Sequence, residues 1–443
     1  MKELIFLADN SCISTQQLAE LEPRIRKEIK KAHEELKKKY NTDYASLYLP
    51  EDISMLEHIE TVAHQVRSLQ PSMVVLVGIG GSNLGTVALF EALRGIFYND
   101  LNPFYTFYYA DTIDSDKNRQ LLTRAEQELE KGNRVVVVIV TKSGKTTETL
   151  VNGALYLALL KKYFPHDYQK LMVIITDKGS ALYIVAKKYG FTLLEIPQYV
   201  GGRYSVLSAV GLFPLALYNI DCKALLAGAL TMRHRCLQED IQENYAALSA
   251  VNVYRYYKSG RNIYDTFIFS PTLAQLGAWY KQLVGESLGK SHTLSGQQVN
   301  VGITPTVSIG TTDLHSVAQL YLGGPQDKIS TFIYSEQEAP EIIVPNNELI
   351  EPLSFLKGQS LSAVKYAIYQ GVKKAYIYQK RPFLELLLPE KSPYILGQFL
   401  MMKMCEVIYL GGLLEINPFD QPAVELYKEE TRKILNINNG TSR

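Results

Sequence analysis

From residue 73 the chain alternates short, unbroken apolar runs with stretches of helical period. Residues 73–77 (MVVLV) have the pattern of a strand buried on both faces. The run ends in Gly78-Ile79-Gly80-Gly81-Ser82, and a helical stretch follows through Leu84, Val87, Phe90 and Leu93. The same pattern returns at 106–110, 135–140 and 171–175, each followed by a helical segment. Strands alternating with helices predict right-handed βαβ units and a parallel, doubly wound sheet, hence an α/β fold. A second, less regular series begins at 265–269 and continues at 306–309 and 330–334. Long helices are predicted near 361–379, 395–414 and 422–436. Residues 15–39 mix apolar and charged positions and end in Lys37-Lys38-Lys39, the pattern of a solvated helix face.

At 443 residues the chain is long enough for two α/β domains. The expected division is an N-terminal helical segment over 1–65, a first domain over 66–225 and a second over 226–443 with the closing helices. No shift in composition marks a linker between the halves.

Charge narrows the range of partners. Lys plus Arg number 46 against 45 for Asp plus Glu, a net +1, so no global field favours nucleic acid or an acidic membrane. Any preference for an anion must be local. The cysteines, Cys12, Cys222, Cys236 and Cys405, form no CxxC pair, and their spacing does not fit structural zinc. The opening MKELIFLADNSC carries one lysine and an apolar run interrupted by Asp9, too little for a signal peptide. No uninterrupted apolar stretch approaches the ~18 residues that span a bilayer. A cytoplasmic location is therefore expected, and the Asn439-Gly440-Thr441 match then has no glycosylation meaning.

Candidate chemistry gathers where strands end, the usual place for ligands in doubly wound sheets. Gly80 and Gly81 let the backbone approach a ligand, and Ser82 is placed to cap the next helix, whose N-terminus favours an anion. A dinucleotide fingerprint would need glycine at position 83, which is Asn83. The second loop, Thr141-Lys142-Ser143-Gly144-Lys145-Thr146-Thr147-Glu148-Thr149, packs five hydroxyls, two lysines and a helix start into nine residues. A phosphate monoester needs several short hydrogen bonds and partial charge neutralisation. A helix cap needs one hydroxyl, which accounts for Thr146 but not for the cluster. Gly285-Glu286-Ser287-Leu288-Gly289-Lys290-Ser291 looks like a nucleotide P-loop, but the required first glycine falls on Val284 and the segment lies late in a predicted helix. Three further segments stand out: Gly201-Gly202-Arg203-Tyr204-Ser205, Gly310-Thr311-Thr312-Asp313-Leu314-His315, and Asn417-Pro418-Phe419-Asp420-Gln421 leading to Glu425 and Lys428.

Together and in this order, these segments resemble the glucose-6-phosphate isomerase (phosphoglucose isomerase) family from about residue 70 to the C-terminus. The resemblance implies two sugar-isomerase (SIS) domains with flavodoxin-like, mostly parallel sheets, no metal and no organic cofactor. It implies reversible aldose–ketose isomerisation of glucose 6-phosphate and fructose 6-phosphate through a cis-enediolate, a step of glycolysis and gluconeogenesis. Ser82, Thr141, Lys142, Ser143 and Thr146 match phosphate-holding positions. Glu286 matches the base moving a proton between C1 and C2, Arg203 the group beside the enediolate, and His315 and Lys428 the ring-opening residues. Glu148, Gln282 and Gln421 match residues lining the sugar. The family histidine comes from the partner subunit, so His315 implies a homodimer with shared sites.

The residue types suit this chemistry on physical grounds. A proton α to a carbonyl is weakly acidic, so its transfer needs a placed base and a cation or donor at the developing enediolate oxygen. A guanidinium stays charged and presents fixed donors. Three positions depart from the family pattern: Leu288 for a polar residue, Ala423 for a glycine, and Lys145 where threonine is common. Two readings compete with a strict isomerase. One is a non-catalytic phosphosugar-binding SIS protein, which would need the loop but not Glu286, Arg203, His315 and Lys428 together. The other is an isomerase of broader glucose/mannose phosphate specificity.

Overall fold

The structure is a computed structural model that describes residues 2–337 and 340–440, less the side chains of residue 15 and of 436–440. Thr441, which ends the Asn-X-Thr match, lies outside the described residues.

Among the described residues, twelve strands form two five-stranded sheets and a small hairpin. They are β1 (Ile5–Leu7), β2 (Pro71–Val77), β3 (Thr106–Ala110), β4 (Arg134–Val140), β5 (Met172–Asp177), β6 (Thr192–Ile196), β7 (Ile263–Ile268), β8 (Lys290–His292), β9 (Gln298–Val301), β10 (Thr304–Ile309), β11 (Lys328–Ser335) and β12 (Phe383–Leu388). The first sheet runs β3-β2-β4-β5-β6, parallel throughout. The second runs β1-β12-β11-β7-β10, parallel except for the antiparallel edge strand β1. In both, the second strand of the series lies outside the first and the third on its other side, the flavodoxin-like order. The fold is α/β with doubly wound, mostly parallel sheets. β2 and β4 read as unbroken apolar runs because they lie inside the first sheet with both faces covered.

Five strands escaped the apolar-run pattern: β1, β6, β12 and the two short, largely exposed strands of the hairpin, β8 and β9. β12 carries Glu385 in its middle, yet that residue is buried. Lys373 Nζ lies 2.7 Å from its carboxylate and the Tyr369 hydroxyl donates to it. β6 lies at a sheet edge and is half-covered, and β1 has only three residues. β1 pairs with β12, so the beginning of the chain completes the second sheet.

The helix Pro393–Leu413 is long and apolar enough, by length and composition, to cross a membrane, but almost all of it is buried inside the fold. It packs on Cys222–Cys236 and Tyr245–Lys258. Its two charges, Lys403 and Glu406, are fully buried and paired at 2.7 Å, with Tyr264 and Ser249 hydroxyls each donating to Glu406 at 3.0 Å. A buried charge that keeps its partners in this way is tolerated in a core.

Helix Leu84–Arg94, which follows β2, packs against helix Ala274–Leu288, which follows β7. This contact brings the last turn of Ala274–Leu288 to the loops at the carboxyl edge of the first sheet. The site is built there.

Candidate active site

The strand order of the first sheet reverses between β2 and β4, so the loops after these two strands lie side by side. After β4, the chain turns through Gly144, whose φ of 66° is left-handed and where a Cβ would fall 2.8 Å from the Leu182 nitrogen. The loop is thus pressed onto the turn after β5, and Thr176 Oγ1 donates to the Thr141 carbonyl at 2.6 Å. Thr146 occupies the N-cap of helix Thr147–Tyr163, but its side chain makes no capping bond. It lies 2.9 Å from Thr141 Oγ1. After β2, Ser82 ends a short turn, Gly80–Ser82, and Asn83 takes the N-cap position of Leu84–Arg94 without capping it. The expectation that Ser82 caps this helix is corrected: Ser82 belongs to the preceding turn, and Asn83 holds the N-cap position. Two helix starts without side-chain caps therefore face the same place, with amide N–H groups and hydroxyls available to an anion.

The lysines differ. Lys145 is exposed, and its backbone N–H donates to Ser143 Oγ at 3.2 Å. Lys142 is half-buried. Burial lowers the pKa of its ammonium, opposed by the carboxylates of Asp177 and Asp43. Burial in turn raises the Asp177 carboxyl to about 6, with Lys142 pulling the other way. Glu148 is half-buried in the first turn of the helix.

Arg203 organises the opposite end of the site. Gly81 abuts its turn so closely that a Cβ there would lie 2.2 Å from the Gly202 carbonyl carbon. The Arg203 guanidinium is buried, with only 2% of the side chain exposed. Its Nε donates to Ser287 Oγ (2.7 Å), Nη1 to Gln421 Oε1 (2.7 Å) and Glu286 Oε2 (3.3 Å), and Nη2 to the carbonyls of Pro418 (2.6 Å) and Asp420 (3.0 Å). Five donors meet five acceptors, so the guanidinium has no free N–H. Ser287, having accepted from Arg203, donates to the Tyr204 hydroxyl at 3.1 Å, and Tyr204 donates to the Pro418 carbonyl at 3.3 Å.

Glu286 sits in the last turn of Ala274–Leu288 with about a third of its side chain exposed. One carboxylate oxygen accepts from Arg203 and the other from Gln282 Nε2 at 3.1 Å. Gln282 Nε2 also lies 2.8 Å from where a Cβ on Gly80 would fall, so this side chain links the loop after β2 to Glu286. Gln421 turns its oxygen to Arg203, which leaves its amide N–H groups as donors.

Arg203, Glu286, Gln282, Gln421, Gly80 and Gly81 thus form one connected cluster, with the 141–146 loop beside Ser82. His315 does not join it within the chain. It is exposed on the turn Thr312–His315 and, among the described residues, makes no hydrogen bond or ion pair with Arg203, Glu286, Gln282 or Gln421. The same holds for Lys428, which pairs with Glu425 at 2.7 Å on helix Ala423–Gly440. Ser287, Tyr204 and Lys290 belong to motifs visible in the sequence, yet nothing in the spacing told that they carry buried hydrogen bonds. Leu288 is fully buried in the core, so this departure from the family pattern does not face a sugar. The P-loop-like segment straddles a helix end and β8, the reverse of the strand-to-helix setting that a nucleotide loop needs.

A family model described as Phosphoglucose isomerase matches residues 54–442. A glucose-6-phosphate isomerase of Carboxydothermus hydrogenoformans is 36% identical over 395 residues, which cover 88% of this chain and 83% of that protein. A solved hypothetical protein from Thermus thermophilus superposes with a TM-score of 0.88 at 31% identity, covering 98% of this chain and 99% of that one. A glucose-6-phosphate isomerase structure from Chlamydia trachomatis shares the fold, with a TM-score of 0.84 at 21% identity over 99% of this chain and 89% of that one. With its motifs in order and this agreement along nearly the whole length, the chain belongs to the phosphoglucose isomerase family.

Proposed function

We propose that this protein interconverts glucose 6-phosphate and fructose 6-phosphate, with Glu286 as the base, serving glycolysis and gluconeogenesis. The observation that carries the reading is the Glu286 carboxylate held between Gln282 and the buried Arg203 guanidinium. The phosphate rests on Ser82, Thr141, Lys142, Ser143 and Thr146, with the open N–H groups of the two helix starts and the close backbone of Gly80 and Gly81. Glu148, Gln282 and Gln421 line the sugar, and Gln421 offers its amide N–H groups. After ring opening, Glu286 takes the proton from C2 of the aldose and returns it to C1. Arg203 acts through charge rather than through a free donor, because its five N–H groups are already engaged. The positive field at the enediolate is therefore in place before reaction and needs no reorganisation.

Ring opening falls to Lys428 and to a His315 supplied by the second subunit of a homodimer. The absence of contacts between His315 and the cluster within one chain fits this sharing. The division into SIS domains over 66–225 and 226–443, after a segment over 1–65, is supported by the membership of the sheets: β2–β6 in one, β7 and β10–β12 in the other. The exception is β1, which pairs with the second sheet. We place the enzyme in the cytoplasm.

The test is a coupled assay of wild type and Glu286→Gln on glucose, mannose and fructose 6-phosphates, with fructose 6-phosphate binding followed by calorimetry. Wild type is expected to turn over the glucose and fructose phosphates, and Glu286→Gln to bind without turnover. Near wild-type turnover by Glu286→Gln would overturn the assignment of the base. An inactive wild type that still binds would favour a phosphosugar-binding protein, and turnover of the mannose phosphate a broader isomerase.

A further inference from the structure

Lys290 opens β8, two residues beyond the helix that carries Glu286. Its side chain folds back over the last turn of that helix. Nζ donates to the Glu286 carbonyl at 2.7 Å and to the Ser287 carbonyl at 2.8 Å, and it lies 3.8 Å from Asp420 Oδ1. The residue is 8% exposed. An ammonium has three donors, and three oxygens surround this one. The last carbonyls of a helix lack partners within it and form the negative end of its dipole, so a cation here satisfies both needs.

The position is more than a helix cap. One carbonyl belongs to Glu286 itself. The other belongs to Ser287, whose hydroxyl accepts from Arg203 Nε. Asp420 lies on the loop whose Pro418 and Asp420 carbonyls accept from Arg203 Nη2. Lys290 and Arg203 therefore grip the same two segments from different sides.

We propose that Lys290 is a positioning residue for the isomerisation, a second buried cation that locks the backbone of the base to the 417–421 loop and adds fixed positive charge beside the enediolate. This rests on Glu286 being the base. The charged groups facing Lys290 are Arg203, Asp420 and Glu286, and neutral Ser287 completes its surroundings. Burial, then repulsion from Arg203, lowers its ammonium to about 8 against the pull of the two carboxylates. In mild alkali the amine keeps hydrogen atoms for the two carbonyls but loses its charge.

The experiment measures kcat and KM for fructose 6-phosphate against pH, from about 6 to 10, in wild type, Lys290→Arg and Lys290→Met. Wild-type kcat is expected to fall above about pH 8 while KM changes little, because the phosphate loops lie elsewhere. Lys290→Arg, permanently charged, moves that limb up by roughly one unit or more. Lys290→Met lowers kcat about tenfold at pH 7, the effect of losing one nearby charge, and shows no limb near 8. A limb common to all three proteins overturns the proposal, since a structural role would lower kcat without moving the profile. If Lys290→Met fails to fold, Asp420→Asn serves instead. Removing that carboxylate is expected to move the limb to lower pH, and an unmoved limb overturns the proposal. An inactive wild type is a different result, which overturns the isomerase reading itself.

Discussion

Replacing Gly81 with alanine tests how the reacting end of the site is assembled. A Cβ at this position falls 2.2 Å from the Gly202 carbonyl carbon, 2.3 Å from its oxygen and 2.6 Å from the Arg203 nitrogen. All three are main-chain atoms, so no side-chain rotation relieves the overlap. Restoring the 3.4 Å of ordinary contact moves the two loops apart by about 1.2 Å in a close-packed region. Arg203 is carried by one of these loops and bonded to Ser287, Gln421 and Glu286, so the shift reaches Glu286, the proposed base. A misplacement of about 1 Å can lower a rate on the order of 100-fold. Overpacking itself costs about 1–3 kcal/mol, less than a typical stability of about 5–15 kcal/mol, so the variant is expected to fold. In a coupled assay run in both directions, kcat is expected to fall on the order of 100-fold, and KM to rise less, because the Gly80–Ser82 loop shifts while the 141–146 loop is untouched. Circular dichroism and urea unfolding check that the protein is intact. A folded variant with kcat within a few-fold of wild type would refute the argument that this contact sets the place of Arg203.

Two further predictions concern the proposed phosphate end. Lys145→Ala should raise KM for the hexose phosphates with little change in kcat, the signature of uniform binding, and an unchanged KM means that Lys145 is merely solvated. The Asp177 carboxyl is raised to about 6 from its ordinary 3.8, so between these values the folded state binds more protons than the unfolded one. Stability therefore falls as pH rises through that window and stays lower above it. Asp177→Asn should accordingly raise the Tm at pH 8, with the gain fading as pH approaches about 4. A gain independent of pH would contradict burial as the cause.

Much of this fold was legible because strands covered on both faces must be apolar throughout. β2, β4 and β5 announced themselves that way, and the loops behind them carried the polar residues. β12 did not, because Glu385 interrupts its apolar run and is tolerated through partners distant in sequence, Lys373, Tyr369 and Asn10. The residues of the candidate site stood out for a different reason: glycine, arginine and carboxylate in named motifs constrain chemistry locally. Ser287 and Lys290 lay inside one of those motifs without a role, because a hydroxyl or ammonium declares its partner only when the partner is in place.

By itself, the sequence determined the α/β class, the two strand–helix series and the family, since period, turn residues and motif order are local properties. Tertiary structure alone decided that β1 serves the second sheet, that Gly81 wedges against Gly202, and that Arg203 has all its donors occupied. It also left the Thr146 and Ser82 hydroxyls free of capping. Each of these depends on atoms brought together from distant parts of the chain, and one-dimensional spacing carries no record of which donor meets which acceptor.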